Sequence, residues 1–363
     1  MSVVKTKEEL FAKVKEYMEI DGISRHEEKV AQALKANTKD TGVEYSRDRM
    51  GSIILNKKGD EKGPKIMITA HMDEVGYMVL SIEKEGFVKI SPVGGIWTPT
   101  VIGSKAVIVT EEGKEYTGVF GHTSIHIMEL ENRAKAPLMK EMFIDLGTGS
   151  KEATEKLGIE PGNIVNIHAE SWRLANDDLF VGKAIDNRAG VAIIEQIAHR
   201  IKDKKNPNDL YLVGTVQEEV GTRGARTAVS IVKPDVAIAI DTCAAHDTPG
   251  AIPGVPKVGN GIALRVKDGG TMMDPKLVKY LFELSKKHNI PAYKYVAQGG
   301  GTDAAELQYG DGGVSTITLS IPERYLHSPH GVASLKDVQA GLDLLTEFVL
   351  EFDAKAYDSI TYK

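Results

Sequence analysis

Residues 6–18 place apolar side chains at Leu10, Phe11, Val14 and Met18, the three-and-four spacing of an amphipathic helix. A second helix is predicted over 27–39, where Ser24 and Glu27 stand three apart in the manner of a capping box. A short strand is expected at 51–55. Residues 64–70 then run almost continuously apolar, the texture of a strand buried on both faces of a parallel sheet. Past Gly76 the texture changes. From about 77 to 166, short β-branched runs such as 87–90 and 106–110 are broken by glycine, which predicts a small β-rich unit. One short helix is expected at 151–157, capped by Ser150 and stopped by Gly158. Long apolar strands and helices resume at Ile185, where Asp186 stands to cap a helix whose Val191, Ile194, Ala198 and Ile201 share a face. Strands follow at 211–216, 236–240 and 314–319, and a final amphipathic helix covers 335–352. The pattern predicts an α/β fold, residues 1–76 with 168–363, split by an inserted β-rich domain at 77–167.

Composition narrows the function classes. With 42% hydrophobic and 26% charged residues among 363, the chain can bury a core, which excludes wholesale disorder. Its 45 Lys and Arg against 51 Asp and Glu give a net charge of −6, a poor counterion for phosphates, so nucleic acid is not the expected partner. Cys243 is the lone cysteine, so neither an intramolecular disulfide nor a cysteine zinc site can form. The first ten residues carry acidic side chains where a signal peptide needs an apolar run, and no stretch approaches a membrane span. A cytoplasmic location, away from membranes, is expected.

Candidate chemistry collects where apolar strands end or helices begin. His71 and Asp73 follow the strand at 64–70, Asp186 precedes a helix, Glu218 and Glu219 follow the strand at 211–216, Asp241 follows 236–240, and His327 lies beyond Leu319. Ligands of open α/β sheets bind outside the carboxyl ends of the strands, so these segments can converge on one crevice. Imidazoles and carboxylates are ordinary ligands of divalent metals, and a carboxylate has two oxygens with which to bridge a pair. Asp186, Glu218, Glu219 and Asp241 would bring four negative charges together, balanced by two M²⁺ ions. Taken singly, a His-x-Asp is a common coincidence, paired glutamates usually form a solvated helix face, and an aspartate after a strand usually caps a helix. Their common placement is what points to a site. Three glycines in Gln298-Gly-Gly-Gly-Thr-Asp303 could cradle a phosphate, but no Walker lysine follows. Cys243 reads as core.

The strings Ala70-His-Met-Asp-Glu-Val-Gly76, Gly182-Lys-Ala-Ile-Asp-Asn-Arg-Ala-Gly190, Gln217-Glu-Glu-Val-Gly-Thr-Arg-Gly-Ala225 and Arg324-Tyr-Leu-His-Ser-Pro329 together resemble the tetrahedral aminopeptidases, metallopeptidase family forty-two, with its glutamyl and deblocking members. The resemblance implies a mixed-sheet di-metal aminopeptidase domain with an inserted PDZ-like domain that drives assembly into a hollow tetrahedral dodecamer. It also implies peptide substrates with a free N-terminus and two divalent ions per subunit, zinc or cobalt, with manganese as an alternative. By motif match, His71, Asp186 and Asp241 would hold one ion and Asp186, Glu219 and His327 the other, with Asp186 bridging. Glu218 matches the general base, and Asp73 the carboxylate that orients His71. The Gln298–Asp303 string resembles a family loop that lines the substrate site.

Two strings depart from the family pattern. After His-Ser-Pro the family has any residue and then Glu, whereas here His330 and Gly331 follow. His330 therefore competes with the expected ligand His327, and one acid is unaccounted for. In the insert, His126 aligns with a family histidine without its accompanying lysine and prolines, so His122 and His126 read as exposed loop. Rival functions are an N-acyl amino acid amidohydrolase, a glucan-hydrolysing glycosidase using two carboxylates, and a non-catalytic peptide-binding scaffold.

Overall fold

The strands with the longest apolar runs form the centre of an eight-stranded mixed sheet. In this computed structural model, which describes residues 3–362, the sheet order is Glu44–Arg47, Ile53–Lys57, Asp209–Thr215, Lys65–His71, Val236–Ala244, Ser315–Glu323, Ile262–Lys267 and Ala292–Val296. The middle four run parallel. Antiparallel partners flank them, Ile53–Lys57 on one side and Ile262–Lys267 on the other. Every residue from Ile66 to His71 and from Val236 to Cys243 is buried, although successive side chains point to opposite faces. Both faces of the central strands are therefore covered, which is why these strands lack polar alternation.

The helix Ile185–Arg200 packs on Lys65–His71 and Val236–Ala244, and against the helix Leu335–Glu351. Its first turn carries Arg188, fully buried, whose guanidinium donates to the carbonyls of Tyr17, Gly22 and Met72 and pairs with Glu74. Those bonds tie the segments around Ile20 and Met72 to the helix, and a buried guanidinium is tolerated only when so satisfied.

The six strands Gly76–Ile82, Val88–Val93, Phe143–Asp145, Glu115–Gly121, Lys105–Val109 and Ile164–His168 close into a barrel. Tyr77, Val88, Ile108, Phe120, Ile144 and Val165 fill it, a cluster distinct from the core of the large sheet. Closure pairs strands that would otherwise present free edges. A third sheet joins Trp172–Arg173, Leu179–Gly182 and Gly331–Ser334.

Some local expectations fail. The helix Glu28–Thr38 has Glu27 at its N-cap without a side-chain cap, so Ser24 and Glu27 do not form the capping box. The helix at Ile185 begins after Ala184, and Asp186 and Asn187 are non-helical, so Asp186 caps nothing. The short helix Lys151–Glu155 is capped by Ser150 as its sequence suggests. Among the described residues no helix is long and apolar enough to cross a membrane.

Candidate active site

The crevice arises where two central strands part. Pairing between Val236–Ala244 and Lys65–His71 stops at Ala239 with Thr69, so His71 and Asp241 face each other across an opening. The carbonyl of Ile240, released from the ladder, accepts the Asn187 side chain at 2.6 Å. The adjacent Asp186 thereby enters the gap at the start of its helix; its peptide bond to Asn187 is cis.

Asp186 lies between two imidazoles. Its Oδ1 is 2.9 Å from His71 Nε2, and its Oδ2 is 3.3 Å from His327 Nε2. Glu219 Oε1 is also 3.3 Å from His327 Nε2, and Asp241 Oδ1 is 3.9 Å from His71 Nε2. Donor atoms of His71, Asp186 and Glu219 fall within 4.8 Å of one another. Gln217 and His327 adopt left-handed backbone angles, with φ of 57° and 55°, to turn the chain into this space.

Asp73 holds the turn that carries the two glutamates. Its oxygens accept from the Glu218 N–H at 3.0 Å and the Glu219 N–H at 3.2 Å, and from Ser24 Oγ at 2.6 Å. Toward His71 Nδ1 the nearer acceptor is the Asp73 carbonyl at 3.1 Å, with the carboxylate at 3.5 Å. Glu27 accepts from the Gln217 N–H at 3.0 Å. Ser24 and Glu27, which mimic a helix cap in the sequence, thus brace the site instead.

The other side of His327 rests on the barrel. Its Nδ1 bonds the Gly95 carbonyl at 2.6 Å, so the 77–167 segment supplies more than boundary residues to the site. Neighbouring Gly94 has φ +83°, and a Cβ there would lie 2.7 Å from Val75 and 3.3 Å from Glu219. Only glycine fits that approach. His330 is exposed, its ring tilted against Trp172 at 5.4 Å, so it is no rival to His327. His126 is exposed on the loop, and His122 is half-buried there. Cys243 is buried beside Ala263 and Tyr295 and borders the cavity.

The electrostatics are those of a cation site. Burial pushes the Glu218 and Asp241 carboxyls well above their usual range, and neighbouring carboxylates add to it. Burial likewise raises Glu219. Burial opposes charge on Asp186 as well, but the His327 and His71 imidazoles hold its carboxyl far below the usual range. Despite burial, hydrogen bonds to Asp186 and Asp73 raise His71, and bonds to Asp186 and Glu219 push His327 up to about 12. Protons on the imidazoles and carboxyls stand where positive charge is wanted. Divalent ions would supply that charge and reverse this titration logic. The donor set of carboxylates and imidazoles therefore fits a metal pair.

A cavity of about 720 Å³ opens from this cluster. Asp186, Glu218, Glu219, Asp241 and His327 line it together with Ile252, Val255, Tyr295 and the Gln298–Gly301 loop. Three buried groups escaped the sequence reading as site residues. Asp303 accepts from Thr215 Oγ1 at 2.6 Å, Lys183 pairs with Glu74 at 2.8 Å, and Glu323 ends its strand beside Asp186 and His327. Position past the apolar run at 314–319 was a signal for Glu323, as it was for His327.

Residues 51–344 match the sequence model of the M42 glutamyl aminopeptidases. The chain belongs to that family. It is accordingly an aminopeptidase, a hydrolase acting on peptide bonds. Among its relatives, this family member is 33% identical to the glutamyl aminopeptidase of Lactococcus lactis subsp. cremoris, over 91% of this chain and 92% of the relative. An aminopeptidase structure from the archaeon Desulfurococcus kamchatkensis superposes with a TM-score of 0.93 at 34% identity, covering 98% of this chain and 99% of that one. The TET1 peptidase of Pyrococcus horikoshii, which can assemble into a tetrahedron or a large octahedral shell, gives 0.85 at 29% identity, covering 94% and 99%. The mixed α/β fold is thus shared with TET aminopeptidases.

Proposed function

We propose that this family member is a cytoplasmic di-metal aminopeptidase in which Asp186 would be shared by two divalent ions, zinc or cobalt with manganese as an alternative. His71 and Asp241 would hold one of the ions with Asp186, and Glu219 and His327 the other. The observation that carries this reading is Asp186 itself, whose two oxygens face two different imidazoles at 2.9 and 3.3 Å. When bound, such a pair supplies Lewis-acid polarisation of the peptide carbonyl and activates water at neutral pH. Glu218 takes the proton of the attacking water and delivers it to the leaving amine. Asp73 fixes the Glu218–Glu219 turn and the ring of His71, so base and ligands keep their spacing. One of the ions could also take the substrate's free α-amine, which would make the action exopeptidic.

Comparing a dipeptide with its N-acetylated form tests this reading. Free dipeptide should turn over and the acetylated one should resist, because acetylation removes the free amine that the site would receive. Preferred hydrolysis of the acylated substrate would instead mark an N-acyl amidohydrolase.

The reading extends to assembly. Residues 77–167 act as an inserted PDZ-like oligomerisation domain, and residues 1–76 with 168–363 as the peptidase domain, in a tetrahedral dodecamer. Support comes from Ile125, Ile127, Leu130 and Leu138 on one barrel segment, all large apolar side chains with at least 53% exposure. Such surface is uncommon on a monomer. The double substitution Ile127→Asp with Leu130→Asp should lower the mass in light scattering to a smaller species. A monomeric wild type with full activity would overturn the assembly.

A further inference from the structure

We propose that Glu323 is a positioning residue for the Asp186–His327 side of the site, an acid brought from one strand into the space a side chain at position 331 would occupy. The inference rests on the two-metal reading. Glu323 ends the strand Ser315–Glu323 with only 3% exposure, and its Oε2 has no hydrogen-bond partner. The strand Gly331–Ser334 runs alongside, joined through the Arg324–Val332 bridge. A Cβ on Gly331 would lie 2.1 Å from Glu323 Oε1, well inside van der Waals contact. A side chain at 331 would therefore displace the Glu323 carboxylate from the place it now holds. That accounts for glycine where the family string places its glutamate: the carboxylate arrives from the neighbouring strand.

The carboxylate faces a cavity of about 20 Å³ that Asp186, His327, Glu74 and Lys183 also line. That is room for about one water molecule. Lys183 in this wall is engaged by Asp21 at 2.5 Å and by Glu74 at 2.8 Å, and His327 by Asp186 and Glu219 at 3.3 Å each, so neither is free to neutralise Glu323. A buried carboxylate without a partner stays ionised only where something compensates its charge. A divalent ion held by Asp186, Glu219 and His327 is the compensation within reach. Glu323 then acts through those ligands, directly or across the small cavity, and touches no substrate.

Equilibrium binding of Zn²⁺ to the full chain, stripped of metal, tests this. Wild type should bind two Zn²⁺ per chain. Glu323→Gln keeps the shape, and one of the two sites should weaken by roughly 10–100-fold, the usual cost of losing such a supporting group. Its metal-free unfolding temperature and assembled mass should stay at wild-type values, which a purely structural role would not allow. Exchanging the pair, Glu323→Gly with Gly331→Glu, should restore the lost Zn²⁺ affinity. Should the exchanged protein fail to fold, Glu323→Gln decides alone. A folded Glu323→Gln with both affinities unchanged, or a folded exchange variant without recovery, overturns the proposal and leaves the two-metal site standing. A wild type that binds no Zn²⁺ overturns both.

Discussion

Glu218→Gln should retain both metal ions and lose roughly 10²–10⁴ of its turnover, the usual worth of a positioned general base. Glu219→Gln should lose one ion. The two residues are adjacent and lie in one cavity wall, so the split tests roles rather than location. The amide at 218 keeps the side chain's shape but cannot accept the proton of water. Its backbone N–H still bonds Asp73 at 3.0 Å, so the turn should survive. At 219 the same change weakens a donor beside His327, at 3.3 Å. Metal stoichiometry and single-turnover rate on both variants decide the matter. Metal loss on Glu218→Gln with two ions retained on Glu219→Gln would reverse the roles, and near wild-type rates with two ions in both would sink the mechanism.

Exhaustive chelation should abolish peptidase activity, and returning the divalent ion should restore it. The stripped protein should also melt at a lower temperature. Ions that bind the folded chain alone stabilise it by about 2.7 kcal/mol per site when present at a hundredfold over Kd. Removing them also returns the clustered carboxylates to mutual repulsion, relieved by protons on His71 and His327 and by the protonation to which burial already drives Glu218 and Asp241. Calorimetry and activity on the same sample check both parts. Undiminished turnover at a measured metal content near zero would refute the two-metal reading.

Much of this was legible in the chain itself. Apolar runs such as 64–70 must be buried on both faces, so the parallel centre of the sheet and its site at the strand ends follow from hydropathy and topology rules. His71, Asp186, Glu219, Asp241 and His327 were nameable because each sits one to several residues past such a run or in a specific string. The helices Arg223–Val232 and Pro275–Lys287, the strands Ile262–Lys267 and Ala292–Val296, and the small sheet through Gly331–Ser334 escaped that reading. The two helices carry a clear helical period, Leu277, Val278, Leu281 and Leu284 in the second, and were legible; the strands are short, and their placement depends on partners distant in sequence.

Tertiary structure alone decided the supports. Ser24 and Glu27 have the spacing of a helix cap, yet their partners are Asp73 and Gln217, because burial beside the crevice offers stronger donors and acceptors than a solvated helix end. Asp186 sits at a helix start, but the splayed strands and the Asn187 bond to Ile240 turn it toward two imidazoles. Gly95 joins His327 across 232 positions, and Glu323 comes to lie where Gly331 leaves room. Local periodicity reports which face of an element is buried. It carries no information about which distant group meets it there, and that meeting turns a list of acids and histidines into a site.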